Sequence, residues 1–167
     1  KTTTAINLAA ALSVAEQRTL LIDADPQSNA TRGLGFAAQE GRSSLYDVLM
    51  DGVPAREAIL KTELQYLSIL PADRDLIGAE LELAGVEARE YRLREAIRTL
   101  EPEFDFIILD CPPSLGLLTI NALTASDYII IPLQCEYYAL EGLSQLLGTY
   151  QLVQKNLNPA LEIGGVL

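Results

Sequence analysis

The residues best suited to chemistry in this chain are one lysine, one threonine and three aspartates. Lys1 and Thr2 stand directly before an apolar, alanine-rich stretch, Asp23 and Asp25 follow one short apolar run, and Asp110 follows another. A lysine neutralises phosphate charge, a threonine hydroxyl or a carboxylate can hold magnesium, and a carboxylate can orient water. These residue types favour phosphate chemistry assisted by a divalent cation.

Lys1 and Thr2 match the last two positions of the phosphate-binding pattern G-x-x-x-x-G-K-[ST]. In that loop, glycine-rich backbone amides surround the phosphates, the lysine reaches the β- and γ-phosphates, and the hydroxyl binds Mg²⁺. Because Lys-Thr pairs are also common at helix starts, the pair gains meaning only together with the aspartates. We expect the chain to begin inside such a loop.

Helix and strand patterns alternate along the chain, and this alternation must position the site. Strands are predicted at 19–22, 66–70, 104–109, 128–133 and 162–167. Helices are predicted at 2–16, 44–49, 54–60, 74–84, 86–100, 117–125 and 138–156, the first apolar nearly all round and therefore buried. This order predicts one α/β domain with a mostly parallel, doubly wound sheet and helices on both faces.

The aspartates fall where such a sheet binds ligands, at the carboxyl ends of its strands. Asp23 and Asp25 follow one strand, and Asp110 ends another, which matches the carboxylate that holds magnesium beside a phosphate-binding loop. Asp110 taken alone could equally cap a loop. Its combination with Lys1 and Asp25 favours the metal role.

Composition excludes several other classes of function. The 167 residues contain no histidine, which excludes Ser-His and Cys-His nucleophilic machinery and histidine-based zinc sites. Cys111 and Cys135 are too few for a disulfide framework and are expected to be structural. The net charge of −11 opposes nucleic-acid binding by this stretch. No long apolar run or signal-peptide layout occurs, so we expect a cytoplasmic protein.

Four segments together resemble the ParA/Soj family of chromosome- and plasmid-partition ATPases, in order and across essentially the whole chain. They are residues 1–9, 23–31, 110–115 and 132–142. The resemblance implies a P-loop ATPase with a deviant Walker A motif that uses ATP and Mg²⁺. It also implies a nucleotide-sandwich homodimer that binds DNA nonspecifically on the nucleoid, without membrane association. Hydrolysis stimulated by a ParB-like, DNA-bound partner would then release the DNA.

The resemblance also implies roles for individual residues. Lys1 resembles the lysine that contacts the β- and γ-phosphates and supports hydrolysis, and Thr2 resembles the hydroxyl ligand of magnesium. Thr3 would lie beside the α-phosphate. Asp25 resembles the residue that places or activates the attacking water, and Asp23 would lie nearer the metal and tune its site.

Asp110 resembles the Walker B carboxylate that holds magnesium, and Pro112, Pro113 and Ser114 would open the second switch segment. The family's loop reads K-G-G-V-G-K-T, so its first lysine, which reaches the partner's nucleotide, would precede residue 1. The first central strand would precede residue 1 too, and adenine contacts and DNA-binding basic residues would follow Leu167. We therefore expect a single P-loop ATPase domain, 1–167, incomplete at both ends.

Two alternatives remain open at the level of sequence. One is a MinD-like, membrane-associated ATPase that acts in division-site placement and ends in a basic amphipathic helix. The other is a P-loop module that binds nucleotide without hydrolysing it. Retention of both aspartates, Asp25 and Asp110, together with Lys1 and Thr2, favours the partition ATPase over a non-hydrolysing module.

Overall fold

The computed structural model describes residues 1–36, 42–133 and 139–167. Its helices are α1 (Thr2–Val14), α2 (Asn29–Gly33), α3 (Leu45–Met50), α4 (Ala55–Ala58), α5 (Leu76–Leu83), α6 (Arg92–Arg98), α7 (Leu117–Ala125) and α8 (Ala139–Asn156). Its strands are β1 (Thr19–Asp23), β2 (Leu60–Lys61), β3 (Leu67–Leu70), β4 (Phe106–Asp110), β5 (Tyr128–Ile131) and β6 (Glu162–Val166).

The larger sheet has the strand order β2-β3-β1-β4. Strand β1 pairs in parallel with both β3 and β4, and only the two-residue β2 runs antiparallel. Strands β5 and β6 form a second, parallel pair. The prediction of a mostly parallel α/β sheet is confirmed.

Helices cover both faces of the larger sheet, as predicted. Leu20 and Ile22 of β1 point into a core shared with α3, α5, α6 and α7. Leu21 points to the opposite face, where it packs with Ala9 of α1. All five residues of β1 are buried because both faces are covered. Burying one such leucine stabilises the fold by about 1.5–3 kcal/mol, so β1 is the strand around which the core is built.

Helix α1 is less buried than its apolar sequence predicts. Only Ala9 and Ser13 are buried along it, and Val14 is 74% exposed. Its inner face packs on β1, whereas no described element covers its outer side. The expectation of a helix buried all round is therefore wrong for the described residues.

The predicted helix 86–100 is also shorter than its pattern suggested. Ala88 has a left-handed backbone with φ of 52°, a 3-10 turn follows at Arg89–Tyr91, and only then does α6 begin. The break is held from a distance by Asn121 of α7, which accepts from the Leu93 amide at 3.1 Å. Local periodicity could not reveal that contact.

Two predicted segments extend outside the described residues. The loop predicted to run to about Arg42 contains the five-residue helix α2 at its start, and residues 37–41 lie outside the described part. The resembling segment 132–142 includes residues 134–138, which also lie outside it, as does Cys135.

The described strands leave two apolar sheet edges without a strand beside them. Strand β4 is the last strand of the larger sheet, and β5 pairs only with β6 among the described strands. Phe106 on β4 is 45% exposed, and Tyr128 and Ile130 on β5 are 65% and 43% exposed. Native proteins normally cover or blunt strand edges of this kind.

Candidate functional site

The carboxyl ends of β1 and β4 lie side by side, as the sequence predicts. Asp23 and Asp110 are paired in the parallel register, and the Ala24 amide donates to the Asp110 carbonyl oxygen at 2.9 Å. Asp25 follows two residues beyond Asp23. The three aspartates predicted from sequence therefore meet at one edge of the sheet.

Asp110 is the carboxylate with unused capacity. It is 2% exposed, and the Thr2 side chain hydrogen-bonds to it. Its Oδ2 atom is buried and has no hydrogen-bond partner within the described part of the chain. Burial raises the pKa of Asp110 above its ordinary value, and the bond from Thr2 and the charge of Lys1 oppose that rise.

A buried carboxylate oxygen without a partner costs free energy and calls for a cation or donor. The contact with the Thr2 hydroxyl places a second hard oxygen beside it. A carboxylate and a hydroxyl are oxygen donors that Mg²⁺ accepts, with the remaining positions left to water and phosphate. The residues present therefore fit a magnesium ion that is shared with a phosphate.

The amino end of α1 faces this same region. Lys1 is the N-cap residue of α1, and no acidic residue lies in the first turn. The first amides of a helix lack intrahelical partners, and the helix dipole adds partial positive charge there. Thr3 is exposed in the same turn. Together with the Lys1 side chain, this helix end suits an anionic group such as phosphate.

Asp23 has a different environment from Asp110, because both of its oxygens have partners. Its Oδ2 accepts from the Thr31 amide at 2.8 Å and the Thr31 hydroxyl at 2.7 Å, and its Oδ1 accepts from the Asp25 amide at 3.2 Å. Burial raises the pKa of Asp23, and these bonds oppose the rise. Asp23 therefore holds the following loop in place, whereas a ligand role toward metal remains a prediction.

Thr31 is a structural residue that sequence reasoning did not single out. Besides binding Asp23, its hydroxyl oxygen accepts from the Ala72 amide at 3.0 Å. It thus ties the last residue of β1 to the segment after β3. In the sequence, only its position pointed to a role: Thr31 lies eight residues beyond Asp23, within the segment 23–31 that resembles the ParA/Soj family.

Asp25 lies at the opening of a cleft. It is 7% exposed, and its Oδ1 accepts from the Gln27 amide at 2.9 Å. The Ser28 amide donates to the Asp25 carbonyl oxygen at 2.8 Å, and Ser28 adopts a left-handed backbone with φ of 54°. The cleft measures about 350 Å³, and Pro112 lines it together with Asp25. A fixed turn therefore holds this carboxylate at the wall of the cleft.

Cys111 follows Asp110 but is not poised for chemistry. The residue as a whole is partly exposed, yet loss of solvent around its thiol raises its pKa to about 12. A thiol with that pKa stays protonated at neutral pH and is a poor nucleophile. The structural role predicted for Cys111 agrees with this environment.

The described part of the chain holds neither a cluster of metal-ligating side chains nor a membrane-spanning helix. In the ranges 1–36, 42–133 and 139–167, no three or more His, Cys, Asp or Glu side chains group into a metal cluster. Magnesium sites that share their ion with phosphates need only one or two carboxylates, so this result is compatible with the site at Asp110. No helix in the same ranges is long and apolar enough to cross a membrane.

Comparison with known proteins places this geometry in a class. A family model described as "AAA domain" matches residues 1–163. The chain is 58% identical to the chromosome partitioning protein ParA of Myxococcus xanthus over 167 residues, which is 100% of this chain and 59% of that protein. It is 54% identical to the sporulation initiation inhibitor protein Soj of Bacillus subtilis, again over 100% of this chain and 66% of that protein.

A solved structure from Mycobacterium smegmatis superposes with a TM-score of 0.95 at 43% identity, over 99% of this chain and 68% of that one. It is described as cobyrinic acid a,c-diamide synthase with bound ATP analog and magnesium. The two curated relatives above are more similar in sequence and carry partition names.

These findings define first a class, the α/β nucleotide-binding proteins that the AAA domain model describes. Within that class, the chain belongs to the ParA/Soj family of chromosome-partitioning ATPases. The chain spans about three fifths to two thirds of the length of these curated relatives.

Proposed function

We propose that the protein containing this chain hydrolyses ATP with Mg²⁺ as a ParA/Soj-type partition ATPase. The observation that carries the proposal is the buried Oδ2 of Asp110, which has no hydrogen-bond partner among the described residues, together with the Thr2 side chain beside the same carboxylate at the start of α1. A relative that was solved with an ATP analog and magnesium supports the choice of ligand. A role in partition is supported by the relatives' names.

In this proposal, the amino end of α1 binds the phosphates. Lys1 neutralises charge on the β- and γ-phosphates and on the group being transferred, and Thr3 lies beside the α-phosphate. Thr2 and Asp110 would hold magnesium, which would neutralise phosphate charge when bound. Asp23 anchors the loop that follows β1. Its proposed role is to tune the metal site through that loop.

Asp25 is the proposed catalytic carboxylate. Hydrolysis of a phosphoanhydride requires one water oriented in line with the phosphorus and a group that accepts its hydrogen bond. Asp25 faces a cleft large enough for water, and its turn is fixed by bonds to Gln27 and Ser28. The chain has no histidine, so a carboxylate is the natural group to orient that water.

The remaining parts of the proposal concern the complete protein. We propose that ATP binding yields a homodimer that binds DNA nonspecifically on the nucleoid, and that a ParB-like, DNA-bound partner stimulates hydrolysis and release. The domain is proposed to continue beyond 1–167, with one further strand between β4 and β5. The exposed apolar side chains of Phe106 and Tyr128 support that strand, because a neighbour on each edge would cover them.

Nucleotide binding tests the phosphate site directly. In the full-length protein, Lys1→Ala is expected to weaken ATP affinity by at least about tenfold, because the charge facing the phosphates is lost. Isothermal calorimetry measures the affinity, and Lys61→Ala, which removes an exposed lysine on β2, is the matched control. Equal ATP affinity in Lys1→Ala, Lys61→Ala and the unmodified protein would contradict the proposed site.

A further inference from the structure

Helix α7 begins without a cap from its own chain segment. Its N-cap residue is Gly116, which has no side chain to accept from the first amides. The carboxylate that comes closest belongs to Glu80 of α5, and its Oε1 accepts from the Leu118 amide at 3.5 Å. A carboxylate at this position is favoured by the helix dipole as well as by the bond. Glu80 therefore caps α7 from a neighbouring helix.

The space at Gly116 is shaped around this carboxylate. A Cβ atom placed on Gly116 would overlap with Oε1 of Glu80. The backbone of Gly116, with φ of −81° and ψ of −168°, is open to any residue. Glycine is needed here for room and not for conformation, so any side chain at 116 must displace the Glu80 carboxylate.

The contact lies at the end of the segment that follows the magnesium-site aspartate. Residues 111–116 connect Asp110 to α7, and the Thr119 hydroxyl donates to the Ser114 carbonyl oxygen at 2.7 Å. Glu80 and Thr119 therefore fix the same six-residue segment from its far end. Glu80 also lines the cleft into which Asp25 faces, together with Pro112 and Pro113 of that segment.

We infer that Glu80 is a positioning residue that holds segment 111–116 against the cleft beside Asp25, and that Gly116 is required to admit its carboxylate. Glu80 acts through α7 and the segment, and makes no described contact with Lys1, Thr2 or Asp110. The inference rests on the proposed hydrolysis at Asp25. We therefore expect changes at Glu80 to lower ATP turnover without changing ATP affinity, because the phosphate-binding end of α1 does not depend on Glu80.

The test uses three variants of the full-length protein. In Glu80→Ala the cap is lost, in Gly116→Ala the methyl group displaces it, and Glu80→Gln keeps an oxygen that can accept from Leu118. We expect kcat to fall by about 10- to 100-fold in the two alanine variants, with ATP affinity within about twofold of the unmodified protein. Glu80→Gln is expected to restore a substantial part of the lost rate.

Controls separate this role from a general loss of structure. Glu82→Ala removes the same charge from the same helix, where Glu82 binds the Tyr46 hydroxyl instead. Gly148→Ala adds a methyl group where nothing lies within 4 Å. Both controls should keep kcat within about twofold. The double variant Glu80→Ala/Gly116→Ala should be no slower than the slower single variant, since both changes remove one contact.

Hydrogen exchange distinguishes a failure of this inference from a failure of the proposed function. Without nucleotide, Glu80→Ala should speed exchange of the Leu118 amide, and Glu82→Ala should not. Unchanged exchange at Leu118 would overturn the contact regardless of turnover. Faster exchange with an unchanged kcat would overturn the positioning role while leaving the ATPase proposal intact, and absence of turnover in the unmodified protein would overturn both.

Discussion

At the scale of single residues, the two strand-end aspartates Asp23 and Asp110 have different environments and different proposed roles. Asp23 has partners on both oxygens and anchors the loop that carries Asp25, whereas Asp110 keeps one buried oxygen that no described residue hydrogen-bonds. The two aspartates lie opposite each other in the sheet. Their roles therefore differ because of the residues around them and not because of their position in the strands. The neighbour that makes the difference is Thr31.

Asp25→Ala should separate ATP binding from ATP hydrolysis in the full-length protein. We expect turnover to fall by at least about 100-fold, because the group that orients water is lost, while ATP affinity changes by less than about threefold. Steady-state phosphate release and calorimetry measure the two quantities. Asp51→Ala, which removes an exposed carboxylate after α3, should leave both unchanged. Normal turnover in Asp25→Ala would remove this residue from the mechanism.

At the scale of elements, the register between β1 and β4 brings the aspartates together, and it is fixed at the other end of the strands. Arg18 precedes β1 and Asp105 precedes β4; their side chains form two hydrogen bonds, at 3.1 and 2.7 Å. The Arg18 amide also donates to Asp105 at 2.8 Å, and the Asp105 amide donates to the Arg18 carbonyl oxygen at 2.7 Å.

This pairing predicts a pH dependence of stability. Hydrogen bonds from Arg18 lower the pKa of Asp105 to about 2, below its ordinary value. A depressed pKa in the folded state stabilises the protein above the unfolded pKa, and that contribution is lost as pH falls from about 4 toward about 2. Asp105→Asn should therefore show a smaller loss of stability across this range, measured by urea unfolding at each pH. An equal loss in both proteins would contradict the assignment.

A second element-scale prediction concerns Asn121, which is fully buried. It accepts from the Leu93 amide at 3.1 Å and donates to the carbonyl oxygens of Arg89 and Leu117 at 2.9 and 3.0 Å. Asn121→Ala leaves buried backbone groups without partners, so we expect a loss of about 1–3 kcal/mol in the free energy of unfolding. Asn156→Ala, at an exposed position in α8, should change it by less than about 0.5 kcal/mol.

The sequence predicted those elements whose pattern is set locally. Helix α7 occupies 117–125 as predicted, and α3 (Leu45–Met50) lies within one residue of the predicted helix 44–49. The continuous helix 86–100 was wrong because the break before α6 depends on Asn121 from a distant helix. The cap that Glu80 places on α7 is likewise a contact between helices that no local spacing encodes.

The candidate site, like the fold, could be predicted only in part from the sequence. Residue types and strand ends sufficed to predict that Asp23, Asp25 and Asp110 meet, because parallel strands bring their carboxyl ends to one edge. Which carboxylate would stay unpaired could not be predicted. That difference depends on Thr31, which comes from α2, a helix that the sequence pattern did not reveal.

At the scale of the whole molecule, the net charge and the length of the chain decide which parts of the proposed function can be assigned to it. The chain carries a net charge of −11, so a DNA-binding surface is not expected on it taken alone. The curated relatives ParA and Soj are longer, with 59% and 66% of their lengths covered. Binding to DNA and to a ParB-like partner is therefore a property proposed for the complete protein.

The most direct test of this account is steady-state ATP turnover by the full-length protein, measured alone, with nonspecific duplex DNA, and with anionic lipid vesicles. The account predicts that the protein sediments with DNA only in the presence of ATP, that DNA stimulates turnover, and that vesicles do neither. A response to vesicles alone would contradict the partition assignment in favour of a MinD-like, membrane-associated relative. Absence of turnover under every condition would contradict hydrolysis itself and favour a nucleotide-binding module.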